Sequence, residues 1–214
     1  SRTGSIHQAV GGMIIDISHA SDKSFWDVLE SSQAPIIASH SCARAVCDNP
    51  RNLTDDMIKA LAARGGVIQI CFLSSYVKPP RPNPDRDKAL QEFRAKYGNL
   101  RDVKDEAQRE KITAEMQELN RKYPVEVATV QDLVDHIDHV IKLVGVDYVG
   151  IGTDFDGGGG VVGCNDVSQM INVTVELMKR GYSESDLAKI WGQNFFRVFN
   201  QVKTVAEKLN NSKR

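Results

Sequence analysis

Met13-Ile14-Ile15-Asp16-Ile17-Ser18-His19 and Pro35-Ile36-Ile37-Ala38-Ser39-His40 are two short apolar runs that each end in a histidine. Runs of this kind, bounded by polar residues, read as buried strands. Between them, Ser21-Asp22-Lys23-Ser24 offers capping hydroxyls and an early carboxylate, and Phe25, Trp26 and Leu29 supply the apolar side of a short helix. Strand, helix, strand is the repeat of a parallel α/β fold. In such folds the C-terminal ends of the strands form the active face, so His19 and His40 stand where chemistry is done. Neutral imidazole is a common zinc ligand, and two on neighbouring strands could converge on one ion. A histidine at a strand end serves equally as a hydrogen-bonded structural residue.

The same alternation continues outward from these runs. After His40 the polar stretch Ser41 to Asn52 is too long for a minimal turn and reads as a functional loop. Thr54, Asp55 and Asp56 open a helix whose Met57, Ile58 and Leu61 face inward, stopped by Gly65-Gly66. Val67 to Phe72 is a third strand, apolar except for Gln69, as expected where both faces are covered. Thr129 and Asp132 begin a helix with Leu133, Ile137, Val140, Ile141 and Val144 on one side. His136 and His139 lie one turn apart on it, which suits a metal on paper. That helix packs outside the sheet, so both read as structural or surface groups.

Tyr148 to Gly152 is the fourth strand, followed by Thr153-Asp154-Phe155-Asp156 and Gly157-Gly158-Gly159-Gly160. Carboxylates at a strand end beside four glycines suggest backbone brought close to a ligand; a flexible turn is the alternative. The remainder reads as helix: Ser168 to Arg180, a capping box from Ser183 to Asp186, then Trp191, Phe195, Phe196, Val198 and Phe199 as core packing. Between the third strand and Thr129 the composition shifts. Pro79, Pro80, Pro82 and Pro84 lead into a charged segment with helical spacing in Leu90, Phe93 and Tyr97 and in Ile112, Met116 and Leu119. It reads as a helical hairpin inserted over 79–124, with a solvated charged face; a lid over the site is the sharper alternative.

Composition bounds the function. With 27 basic and 28 acidic residues in 214, the net charge of −1 gives no electrostatic reason for a nucleic acid or charged membrane partner. Cys42, Cys47, Cys71 and Cys164 lack Cys-x-x-Cys spacing, which argues against a zinc knot or redox motif; Cys71 reads as core, and a disulfide stays open. No stretch approaches the ~20 apolar residues of a membrane span, and no signal peptide, P-loop, dinucleotide fingerprint or solenoid repeat is present. The chain starts at Ser1 without methionine, so a fragment or processed product is expected.

Ile15-Asp16-Ile17-Ser18-His19, Ser39-His40-Ser41 through Arg51-Asn52, and Gly150-Ile151-Gly152-Thr153-Asp154-Phe155-Asp156-Gly157 resemble, in order, signature segments of the membrane (renal) dipeptidase family, peptidase family M19. Trp191-Gly192-Gln193-Asn194-Phe195 resembles that family's last such segment. The similarity spans nearly all of the chain except the charged insertion.

The resemblance implies a binuclear zinc hydrolase on a (β/α)8 TIM-type barrel that cleaves dipeptides, often with a D-residue at the C-terminal position. On that basis His19 and His40 match the two histidines of the second zinc, and Arg51 matches the arginine that holds the substrate's terminal carboxylate. Asp154 matches the acidic residue that handles the proton passing from attacking water to leaving amine. The family's first zinc uses a His-x-Asp pair ending the first barrel strand, and a glutamate bridges both ions; these lie N-terminal to the segment matched here. With four strands against the eight of a closed barrel, the chain reads as the C-terminal half of a barrel, a single partial domain over 1–214. It would be active only with the N-terminal half as partner, and a homo-oligomer is allowed. An extracytoplasmic location, periplasmic or membrane-associated, is favoured over the cytoplasm. Two other readings stay open: a metal-dependent barrel hydrolase acting on a lactone or phosphoester, and a non-catalytic binding remnant.

Overall fold

The computed structural model describes residues 12–98 and 103–212. In chain order its elements are α1 (Asp22–Ser31), β1 (Ile37–Ser41), α2 (Asp55–Ala63), β2 (Val67–Ile70) and α3 (Ser74–Val77). Then come α4 (Pro84–Tyr97), α5 (Glu106–Lys122), α6 (Val130–Val144), β3 (Val149–Ile151), α7 (Ile171–Lys179), α8 (Glu184–Ala188) and α9 (Asn194–Asn211). The three strands form one sheet in the order β1-β2-β3, parallel throughout. Parallel neighbours in sequence order, joined through helices, are the repeat of an α/β barrel.

Helix starts follow local chemistry. The side chains of Ser21 and Thr54 accept from the amides of Ser24 and Met57, and full capping boxes close at Thr129 with Asp132 and at Ser183 with Asp186. The main core joins Met57, Ile58 and Leu61 of α2 and Leu133, Ile137 and Val140 of α6 to Ile36, Ala38, Ile68, Ile70 and Val149 of the sheet. Residues of opposite parity, Ile37 and Val67, pack instead with Val198 and Val202 of α9. Further along that second face the strands carry Ser39, Gln69, Gly150 and Gly152, so its C-terminal end is polar and nearly free of side-chain bulk.

Several expectations change. The first apolar run pairs with β1 through a single parallel bridge, Asp16 to Ile37, rather than as a full strand. Its chain turns away at Ile17, so four expected strands become three plus a bridge. His40 lies within β1 rather than past its end. Of the expected core aromatics, Trp191, Phe196 and Phe199 are exposed. A helix buries one stripe, and on α9 Val198, Val202 and Ala206 occupy it. The closing segment Trp191-Gly192-Gln193 lies in a π-helical turn, Lys189–Gln193, after which buried Asn194 donates to the carbonyls of Val146 and Val149 and pins α9 to β3. All four cysteines are free and buried.

Pro80–Glu126 form a separate compact unit. Here α4 and α5 pack through Phe93, Val103 and Ile112, and Lys96 pairs with Glu115 at 2.7 Å. Among the described residues no helix is long and apolar enough to cross a membrane.

Candidate functional site

The C-terminal end of the sheet gathers His19, His40, Arg51 and Asp154. His19 occupies a turn in which the Ala20 amide donates to the Ile17 carbonyl at 2.9 Å, and it takes φ 70°, a left-handed conformation that histidine tolerates better than most residues. Asp16, two residues before the turn's tip, holds it in place. Its Oδ1 accepts from the amides of Ser18 at 2.9 Å and Ser39 at 3.0 Å, and its Oδ2 accepts from the Ser39 hydroxyl at 2.5 Å.

In β1, Ala38 pairs with Ile68 and Ser41 with Ile70, so three steps on one strand face two on the other. The extra residue is a β-bulge at Ser39-His40, a device that re-aims a side chain. Consecutive side chains that would otherwise point to opposite faces now meet: Ser39 Oγ lies 2.7 Å from His40 Nδ1. The His19 and His40 ring centres are 4.9 Å apart. Two imidazoles sharing one tetrahedral zinc at about 2.1 Å per nitrogen place their centres about 5 Å apart, so the pair fits part of such a shell.

The His19 imidazole is held below its ordinary pKa, first by desolvation and then by the charges of Arg51 and His40, against the pull of Asp154 and Asp16. The neutral form, the one with a free lone pair, is therefore favoured at neutral pH. Cys71 feels Asp154 and Arg51 as well, although burial is the main cause that raises its thiol to about 11. Two separate residues thus register the same two charges at this end of the sheet.

Arg51 sits on a tied-down loop. The Leu53 amide donates to Cys42 and the Arg44 amide to Leu53, while fully buried Asn52 accepts from the Cys42 amide and donates to the carbonyls of Cys47 and Tyr76. The Arg51 guanidinium lies 5.4 Å from the Tyr76 ring centre, and its Nε and Nη2 are buried without a hydrogen-bond partner. Those two nitrogens form the side-on fork that grips a carboxylate. Asp154 also has a positive φ, 59°. The glycines after it close round Asp154 itself: a Cβ at Gly157 would lie 2.2 Å from its Oδ1, and one at Gly159 would lie 2.2 Å from the Thr153 carbonyl. The glycine run thus shapes the aspartate's own turn.

Among the described residues no three His, Cys, Asp or Glu side chains cluster as a metal site, so His19 and His40 offer two donors only. The chain does hold one His-x-Asp, His136-Ile137-Asp138, on α6. Neither member is available: His136 is fully buried between the Ala43 amide and the Val77 carbonyl, and Asp138 pairs with Arg180 at 2.7 Å and Tyr182 at 2.6 Å. His139 pairs with Asp55. Asp16, Ser39, Asn52 and Tyr76 were not singled out by sequence; a carboxylate inside an apolar run was the available signal for Asp16.

The whole arrangement has relatives. Over 199 residues the chain is 33% identical to Dipeptidase ataJ of Aspergillus terreus, covering 92% of this chain and 38% of that protein. It is 34% identical over 197 residues to Dipeptidase 3 of Homo sapiens, covering 92% and 31%. The crystal structure of the probable dipeptidase PvdM from Pseudomonas aeruginosa superposes with a TM-score of 0.75 at 37% identity, covering 94% of this chain and 53% of that one. The chain therefore spans about a third of the length of the curated relatives it matches. The family model of membrane dipeptidase matches residues 8–213, and the chain belongs to that family, peptidase family M19.

Proposed function

We propose that this chain carries the second-zinc side, the substrate anchor and the proton-handling carboxylate of a metal-dependent dipeptidase. The observation that carries the reading is Arg51. A buried guanidinium edge without a partner is costly unless an anion completes it, and its charge acts on His19, whose ring faces His40. A dipeptide's terminal carboxylate supplies that anion; a lactone does not. Zinc, when bound by His19 and His40 together with ligands from outside these residues, would lower the pKa of a water and polarise the scissile carbonyl. Arg51 orients the substrate by its C-terminal end, with a D-residue tolerated there, and Asp154 carries the proton from water to the leaving amine.

In this proposal the chain is one half of a barrel that polypeptide beyond it completes. Its share of the relatives' length supports that, as does a parallel sheet in which the outer edge of β3 pairs with no further strand among the described residues. An extracytoplasmic, membrane-associated setting follows the family's description.

The test is zinc content and hydrolysis of a dipeptide panel that includes L-Ala-D-Ala, for the chain alone and with the N-terminal counterpart present. Near two equivalents of zinc and activity only in the paired sample is the expected result. No metal and no hydrolysis in either sample would overturn the reading.

A further inference from the structure

We infer that Asp16 and Ser39 are positioning residues that fix the proton of the His40 ring on Nδ1 and leave Nε2 as the bare donor atom. The inference deepens the reading of His40 as a metal ligand and rests on it. Ser39 Oγ has two close partners, Asp16 Oδ2 at 2.5 Å and His40 Nδ1 at 2.7 Å, and a third, Ser18 Oγ, at a long 3.4 Å, but has one proton to give. Asp16 is an ionised acceptor whose other oxygen already receives two backbone amides, from Ser18 and Ser39, so its orientation is set. The hydroxyl proton therefore goes to the carboxylate, in a charge-assisted bond. Only lone pairs of Ser39 remain for His40, so Nδ1 must be the donor. In a neutral imidazole the other nitrogen is then unprotonated, the form a metal requires.

The fold is arranged for this contact. The bulge in β1 brings consecutive residues 39 and 40 together, and the His40 amide donates to Ser18 Oγ at 2.9 Å, which fixes the backbone beneath the ring. A carboxylate usually supports a metal-bound histidine directly; here a serine hydroxyl stands between them.

Histidine-labelled NMR of the metal-free 214-residue chain at mildly alkaline pH reads the tautomer directly. The expected result is His40 protonated on Nδ1 in the wild type and in Ser39→Thr. Asp16→Asn offers an amide donor to Ser39, reverses the hydrogen-bond chain and moves the proton to Nε2; Ser39→Ala releases it from Nδ1. Ser18→Ala removes the bond to the His40 backbone and the long 3.4 Å contact with Ser39 Oγ, keeps the Asp16-Ser39-His40 chain, and leaves the ring tautomer unchanged. Affinity for added Zn²⁺ falls about 10- to 100-fold in Asp16→Asn and Ser39→Ala. A wild-type ring protonated on Nε2, or Asp16→Asn without effect on the proton, overturns the inference. The expected tautomers without any Zn²⁺ binding would uphold the positioning and overturn the metal reading alone.

Discussion

A Cβ placed on Gly152 would lie 2.0 Å from the carbonyl oxygen of Ser39, although β2 separates the strands that carry them. In a flat sheet, strands two apart are about 9–10 Å from one another. Contact across that gap means the sheet curls so that the ends of β1 and β3 approach over Gln69, the curvature of a barrel wall. Gly152→Ala must push backbone against backbone. It is expected to lower stability by about 3 kcal/mol, the upper part of the overpacking range, and to weaken Zn²⁺ binding by displacing the Ser39-His40 bulge. Urea unfolding and metal titration check both. A variant as stable as the wild type would mean that the strand ends are not in contact.

His19 holds a positive φ of 70° without being glycine. The left-handed conformation costs an ordinary residue about 1–2 kcal/mol, and glycine escapes that cost. His19→Gly is therefore expected to be about 1 kcal/mol more stable than His19→Ala, although both lose the imidazole. Equal urea midpoints for the two variants would show that the turn stores no strain.

What the sequence made legible was what period and caps encode. Thr54, Thr129 with Asp132, and Ser183 with Asp186 start helices because a hydroxyl and a carboxylate at that spacing satisfy the first amides wherever they occur. His19, His40 and Asp154 could be placed at one end of a sheet because strand ends in an α/β fold share a face. The register shift between Ala38 and Ser41 was not legible, since a bulge depends on the partner strand. Without it Ser39 and His40 point to opposite faces, and the Asp16-Ser39-His40 chain cannot be read. The aromatics of α9 failed for a related reason. Phe196 and Phe199 are apolar, but Val198 and Val202 already fill the stripe that meets Ile37 and Val67.

His136 ties three segments: its Nδ1 accepts from the Ala43 amide at 3.1 Å and its Nε2 donates to the Val77 carbonyl at 2.8 Å. Burial holds its pKa below 6.5, with the Val77 carbonyl pulling the other way. Unfolded, the same residue takes a proton near pH 6.5, so below that value the unfolded state binds more protons than the folded one. Its contribution to stability is complete above about pH 6.5 and is lost as the pH falls from there through the lower folded-state value. His136→Gln removes the titrating group and keeps a donor and an acceptor. Urea midpoints at pH 7.5 and pH 5 are expected to diverge less in the variant than in the wild type; equal divergence would assign the acid sensitivity to another group.

Arg51 offers the sharpest separation between substrate classes. Its unpartnered Nε and Nη2 can take both oxygens of a carboxylate at once, and Tyr76 lies under the guanidinium plane. If a dipeptide's terminal carboxylate fills that fork, Arg51→Ala in the completed enzyme loses charge-assisted hydrogen bonds worth about 2–3 kcal/mol, or roughly 30- to 150-fold in kcat/KM. The loss should sit mainly in KM, because the carboxylate is held in ground state and transition state alike. Arg51→Lys restores the charge but not the planar fork, so it is expected to recover only part of the loss. A dipeptide amide, which lacks the carboxylate, should be a poor substrate for the wild type and no worse for Arg51→Ala. If instead Arg51→Ala depresses the amide and the free dipeptide equally, the arginine supports the fold of its loop and a different group anchors the substrate.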